Sequence, residues 1–129
     1  MRISQIKETC LYSRDLDRAQ EFYADILQLP IIGRVEQRHV FFRAGASVLL
    51  IFNPDLTANA TDFPQHYGEG ALHIAFEVPE SEYAKWKIWI ADAGIAITHE
   101  HDWPGGRKSF YFNDPDGHVL EFVMPGIWE

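Results

Sequence analysis

Cysteine is nearly missing from this chain: Cys10 is the only one in 129 residues. No internal disulfide can form, and a reducing cytoplasm is the expected compartment. Basic residues are also few. Eleven Lys and Arg face nineteen Asp and Glu, leaving a net charge of −8. With no basic run to offset phosphate repulsion, nucleic acid is not an expected partner. No stretch of eighteen apolar residues occurs, so no membrane span is expected. The opening Met1-Arg2-Ile3-Ser4-Gln5 does not read as a secretory signal. What the chain does have is 47% hydrophobic and 14% aromatic residues. That suffices for one domain with a full core over residues 1–129.

The hydrophobic pattern divides this domain into two similar halves. Ile6 to Ser13 is β-rich. Asp15 can cap a helix running to Leu27, with Leu16, Ala19, Phe22, Tyr23, Ile26 and Leu27 at spacings of three and four. Pro30 and Gly33 break that pattern. Residues 38–43 and 47–52 read as a hairpin turning at Gly45. Asn53 to Gly70 is polar, with Pro54, Pro64, Gly68 and Gly70, and its length suggests a lid or linker. The order then repeats. Ala71 to Val78 is a strand, and Glu80 to Ala93 a helix with Tyr83, Trp86, Ile90 and Ala93 as its apolar stripe, ended by Gly94. Ile95 to Glu100 is a strand and His101 to Gly106 a loop. Ser109-Phe110-Tyr111-Phe112 then enters a tight turn at Asp114-Pro115-Asp116-Gly117, and Val119 to Val123 leaves it. The expectation is an α+β protein of two βαβββ modules. Module one spans about 4–53, the linker about 54–70 and module two about 71–125.

Glu121 is a lone carboxylate inside an apolar strand, where an unpaired charge is costly. It needs a partner, and a metal ion is one candidate. With the halves in register, Glu8 matches His73, and the counterpart of Glu121 is about Leu50. Alternation places Leu72, Ile74 and Phe76 on one face of their strand, with His73 and Ala75 on the other. Likewise Leu120 and Phe122 oppose Glu121, while Thr9 and Leu11 oppose Glu8. Glu8, His73 and Glu121 are therefore expected on the concave side of the sheet, away from the helices. Two carboxylates and one imidazole suit a divalent ion such as Mn, Mg, Ni, Zn or Fe, with positions left open for a substrate.

Three stretches give the sequence a family resemblance: Arg14-Asp15-Leu16-Asp17-Arg18-Ala19-Gln20-Glu21-Phe22-Tyr23, Gly70-Ala71-Leu72-His73-Ile74-Ala75-Phe76, and Ser109 through the turn to Glu121. The chain resembles the vicinal oxygen chelate superfamily, which includes glyoxalase I, fosfomycin-resistance thiol transferases, extradiol dioxygenases and bleomycin-resistance proteins. The resemblance implies a half-open barrel built from the two modules around a divalent metal, a small substrate chelated to that metal through adjacent oxygens, and a symmetric homodimer. His73 and Glu121 match family ligand positions, and Glu8 stands where most members have His. Leu50 replaces the second glutamate of glyoxalase I. Two carboxylates with one His depart from the two His and one Glu of extradiol dioxygenases. The Ser109–Tyr111 pair resembles substrate-contacting residues of fosfomycin-resistance enzymes, although Cys10 stands where those tend to have Thr.

The remaining pocket candidates are Cys10, His39, His101, Trp103, Arg107, Ser109 and Tyr111. Arg107 is either a bidentate anion binder or a solvated loop residue. Cys10 is either a reactive thiol or a small buried residue. His101 and Trp103 flank the Pro-Gly-Gly turn and are expected to form a lip. The function expected is a metal-dependent lyase or isomerase with Glu121 as its catalytic carboxylate. The alternatives are a metal-free sequestering protein of the bleomycin-resistance type, a thiol transferase or a dioxygenase.

Overall fold

One strand pattern is built twice. In the computed structural model, which describes residues 1–129, the chain forms two units, Met1–Glu69 and Gly70–Glu129. Unit one holds β1 (Glu8–Tyr12), α1 (Leu16–Gln20), β2 (Ile31–Val35), β3 (His39–Ala44), β4 (Ser47–Phe52) and α2 (Pro54–Thr57). Unit two holds β5 (His73–Glu77), α3 (Glu80–Asp92), β6 (His99–Trp103), β7 (Arg107–Asn113) and β8 (Val119–Val123). The sheet orders are β1-β4-β3-β2 and β5-β8-β7-β6. In each, the first strand runs parallel to the last and the other pairings are antiparallel. The chain is thus α+β with paired βαβββ modules, as the sequence implied.

The registers match residue for residue. Cys10 pairs with Leu50, and Leu50 with Phe41. Ala75 pairs with Glu121, and Glu121 with Tyr111. Glu8 and His73 both open their strands, and Leu50 is the counterpart of Glu121.

Asp15 caps α1 by accepting from the Arg18 amide. The helix does not continue as α to Leu27. It widens into π-type turns over Glu21–Ile26, where the Leu27 amide reaches back to the Phe22 carbonyl. The wider turn lets adjacent Phe22 and Tyr23 both bury, at 4% and 0% exposure. Pro30 and Gly33 do not stop strand formation: β2 starts right after the proline and absorbs Gly33 as an irregularity in its pairing with β3. The segment after Asn53 begins with α2, capped by the Asn53 side chain.

β6 is the main correction. It runs from His99 to Trp103, whereas the apolar 95–98 stretch lies outside it and residues 101–103 are strand rather than loop. Pairing decided this. Thr98 donates its amide to the Tyr111 carbonyl, and the ladder then runs from His99↔Tyr111 to Trp103↔Arg107.

The core of unit two lies between α3 and one face of its sheet. Phe110, Phe112, Leu120 and Phe122 are at most 3% exposed. Trp86 meets Phe122 edge-on at 5.0 Å, and Tyr83 meets Phe110 at 5.3 Å. Trp86 is therefore a packing residue. Because alternate strand residues point oppositely, filling this face with rings sends Glu121, Tyr111 and His73 to the other.

Candidate metal and substrate site

His73 and Glu121 meet on that opposite face. His73 Nε2 lies 3.4 Å from Glu121 Oε2, with the imidazole side chain 48% exposed and the carboxylate 8%. His73 Nδ1 is 2.8 Å from the Val119 carbonyl. A carbonyl only accepts, so Nδ1 carries a proton and, in the neutral ring, Nε2 presents its lone pair toward the carboxylate. Two acceptors facing one another want a proton or a cation between them. A backbone carbonyl fixing one ring nitrogen while the other stays open is how proteins orient metal-binding imidazoles. The donor set fits a divalent ion.

The backbone around His73 is tied on both sides. Val119 donates its amide to the Leu72 carbonyl at 2.8 Å. Leu72 donates its amide to Nδ1 of His118 at 3.1 Å, and His118 is only 3% exposed. His118 in turn donates its amide to Asp114 Oδ1 at 2.8 Å. The Asp-Pro-Asp-Gly turn is thereby wired to the strand that carries His73.

Glu121 has a second neighbour in Tyr111, whose hydroxyl donates to the carboxylate. Burial first, then that hydrogen bond and the charge of Glu121, push Tyr111 above the ordinary phenol range, so it stays a donor at neutral pH. Ser109, fully buried, donates to the Tyr111 oxygen and accepts from the Trp103 indole at 2.9 Å. A directional chain, Trp103 to Ser109 to Tyr111 to Glu121, ends at the carboxylate.

His101 and Trp103 belong to β6 itself and do not form a loop lip. Their rings are 4.6 Å apart, and His99 stands 5.8 Å from His101 and 5.7 Å from Tyr111. The sequence reading missed His99 and gave His118 no role. The period-two spacing of His99, His101 and Trp103 was the available signal for the first. The second required the Leu72 contact. Arg107 ion-pairs with Glu80 at 3.6 Å, and its guanidinium lies against Gly126.

The other candidates sit in unit one. Glu8 is exposed at the start of β1. No group of three or more His, Cys, Asp or Glu side chains that could hold a metal is gathered in the structure. His73 and Glu121 supply two. Cys10 is half-buried, and burial first, then the charge of Glu8, push its thiol up, which disfavours the thiolate. His39 stacks on Phe41 at 4.0 Å. Burial, then the charge of Arg38, pull its imidazole below the ordinary value.

No helix is long and apolar enough to cross a membrane. Comparison with known proteins gives concordant relatives. The chain is 28% identical to metallothiol transferase FosB of Staphylococcus saprophyticus over 92% of its own length and 76% of that protein. It is 30% identical to a FosB of Staphylococcus epidermidis over 83% of this chain and 73% of that one. The crystal structure of a lactoylglutathione lyase from Agrobacterium tumefaciens superposes with a TM-score of 0.93 at 34% identity, covering 98% of each chain. The model of the Glyoxalase/Bleomycin resistance protein/Dioxygenase superfamily matches residues 5–122. With the repeated βαβββ register beneath that match, the chain belongs to this superfamily.

Proposed function

We propose that this chain is a divalent-metal-dependent enzyme acting on a small substrate held through two adjacent oxygens. The observation that carries the reading is His73 Nε2 directed at Glu121 Oε2 while His73 Nδ1 is committed to Val119. Glu8, in the register position of unit one that His73 holds in unit two, is the proposed third ligand, and a homodimer is the proposed assembly. Bound there, Mn, Ni, Zn, Mg or Fe(II) supplies Lewis-acid polarisation of the substrate oxygens. Tyr111 holds the Glu121 carboxylate by its hydroxyl, and Ser109 holds the Tyr111 oxygen in turn. Glu121 is the one buried glutamate or histidine on this face and is the group proposed to handle a proton.

Lyase or isomerase chemistry on a thiol-derived substrate is the favoured reaction, supported by the likeness to a protein named lactoylglutathione lyase. Thiol transfer to an oxygen-bearing electrophile is the second reading. Relatives named metallothiol transferase favour it, as does Leu50, which leaves unit one without a second carboxylate at the Glu121 position. A metal-free sequestering protein has no use for the His73–Glu121 pair.

Chelator-stripped protein reloaded with each of the five ions tests the metal. At least one should raise the melting temperature, and if none does, the sequestering reading takes its place. The active form is then given a 2-oxoaldehyde with a low-molecular-weight thiol, or an epoxide with the same thiol. Thioester formation supports the lyase reading, and enzyme-dependent loss of thiol onto the epoxide supports transfer.

A further inference from the structure

Six rings lie in an unbroken row on unit two. From His73 the row passes to Tyr111 at 6.0 Å, to His99 at 5.7 Å, to His101 at 5.8 Å, to Trp103 at 4.6 Å and to Trp128 at 6.0 Å. It starts at the proposed metal pair and runs out along β6, an edge strand. His99 and His101 are exposed and Trp103 is half-buried. An exposed edge strand has no packing need for three rings on one face, and charged residues would keep it soluble and unpaired. The other face of β6 does follow that rule: Glu100 pairs with Lys87, and Asp102 with Lys108 at 3.5 Å. Trp103 is also held in place by its indole hydrogen bond to Ser109.

We infer that the His99–His101–Trp103 face of β6 is the subsite for a flat, aromatic or conjugated body of the substrate whose two oxygens sit at His73 and Glu121. The inference rests on the metal reading above and adds the class of molecule: a two-oxygen head with a planar body. Rings offer such a body π-faces for stacking, and imidazole nitrogens offer hydrogen bonds to its rim.

The test uses two probes with one chelating head, acetohydroxamate and benzohydroxamate, titrated calorimetrically into metal-loaded protein. Their affinities for the free ion serve as the reference. Benzohydroxamate should bind at least about tenfold tighter. In the His99→Ala/His101→Ala double variant the advantage should fall below about threefold, with acetohydroxamate binding unchanged. Trp103→Leu should lower it as well. Equal binding of the two probes to wild type overturns the subsite, as does an advantage that survives the substitutions. A dimer that falls apart in sedimentation when His99 and His101 are replaced assigns the face to a second copy, and also overturns it. Should acetohydroxamate itself fail to bind loaded protein, the ion there has no two open positions for a substrate, so the reading of a substrate held through two oxygens has failed and the subsite falls with it. Binding of acetohydroxamate without a phenyl advantage sinks the subsite alone.

Discussion

Glu121 and Phe122 are neighbours in sequence with opposite tasks, because successive strand residues face opposite ways. Glu121→Gln keeps the shape and removes the charge that offsets a cation. Metal affinity by calorimetry should fall by more than about 100-fold with the urea midpoint nearly unchanged. Phe122→Ala empties the centre of the ring cluster and should cost about 3–5 kcal/mol in urea unfolding. A Glu121→Gln variant that keeps full metal affinity would remove it from the ligand set. His118 tests the scaffold behind His73. Its Nδ1 accepts the Leu72 amide, so His118→Leu strands that donor and should cost about 1–3 kcal/mol and weaken metal binding. His118→Asn retains an acceptor and should restore both, which a purely space-filling role would not require. His39 carries a pH signature. Its folded value lies below its ordinary one of about 6.5, so the unfolded chain binds more protons between the two. This residue's share of stability is intact above the ordinary value and is lost as pH falls from there toward the lowered one. His39→Phe should therefore lose less of its urea midpoint than wild type between about pH 7.5 and pH 5.

The β7–β8 turn depends on Gly117, whose φ of +83° lies in the left-handed region, with open space for 4 Å around the point where a Cβ would stand. Gly117→Ala meets no clash, only backbone strain, and should cost about 1–2 kcal/mol, or roughly 2–8 °C of melting temperature. A loss of less than half that would mean the turn relaxes into another form. This turn was legible from sequence because Pro115 and Gly117 each fix a local angle. So was α3, whose apolar stripe and terminal Gly94 are local signals. The limits of β6 were not. Ile95 and Ile97 look like strand, yet the ladder starts at His99 because β7 sets the register, and pairing partners far along the chain leave no local mark. The widening of α1 was hidden for a similar reason: a π-type turn has the same apolar composition as an α-turn, and only the burial of both Phe22 and Tyr23 distinguishes it. At the site, His73 and Glu121 were readable from alternation, whereas the Leu72–His118 and Trp103–Ser109 bonds were not, since each joins residues through side-chain geometry.

At the scale of the whole molecule, mixed variants test the proposed third ligand, Glu8, and the proposed homodimer together. Glu8→Ala and His73→Ala chains are each prepared, confirmed not to bind metal tightly, then unfolded and refolded together. If Glu8 serves a second copy, heterodimers rebuild one site, and roughly a quarter of the wild-type metal capacity should return. If Glu8 serves its own chain, every chain in the mixture is defective and none returns. Full binding by Glu8→Ala alone would show that Glu8 is not a ligand. The repeated register has a further consequence, for how such a protein changes over generations. Unit one already holds, at Leu50, the backbone position from which unit two presents Glu121. Exchanging that leucine for a carboxylate would alter the chemistry on offer without redrawing a strand.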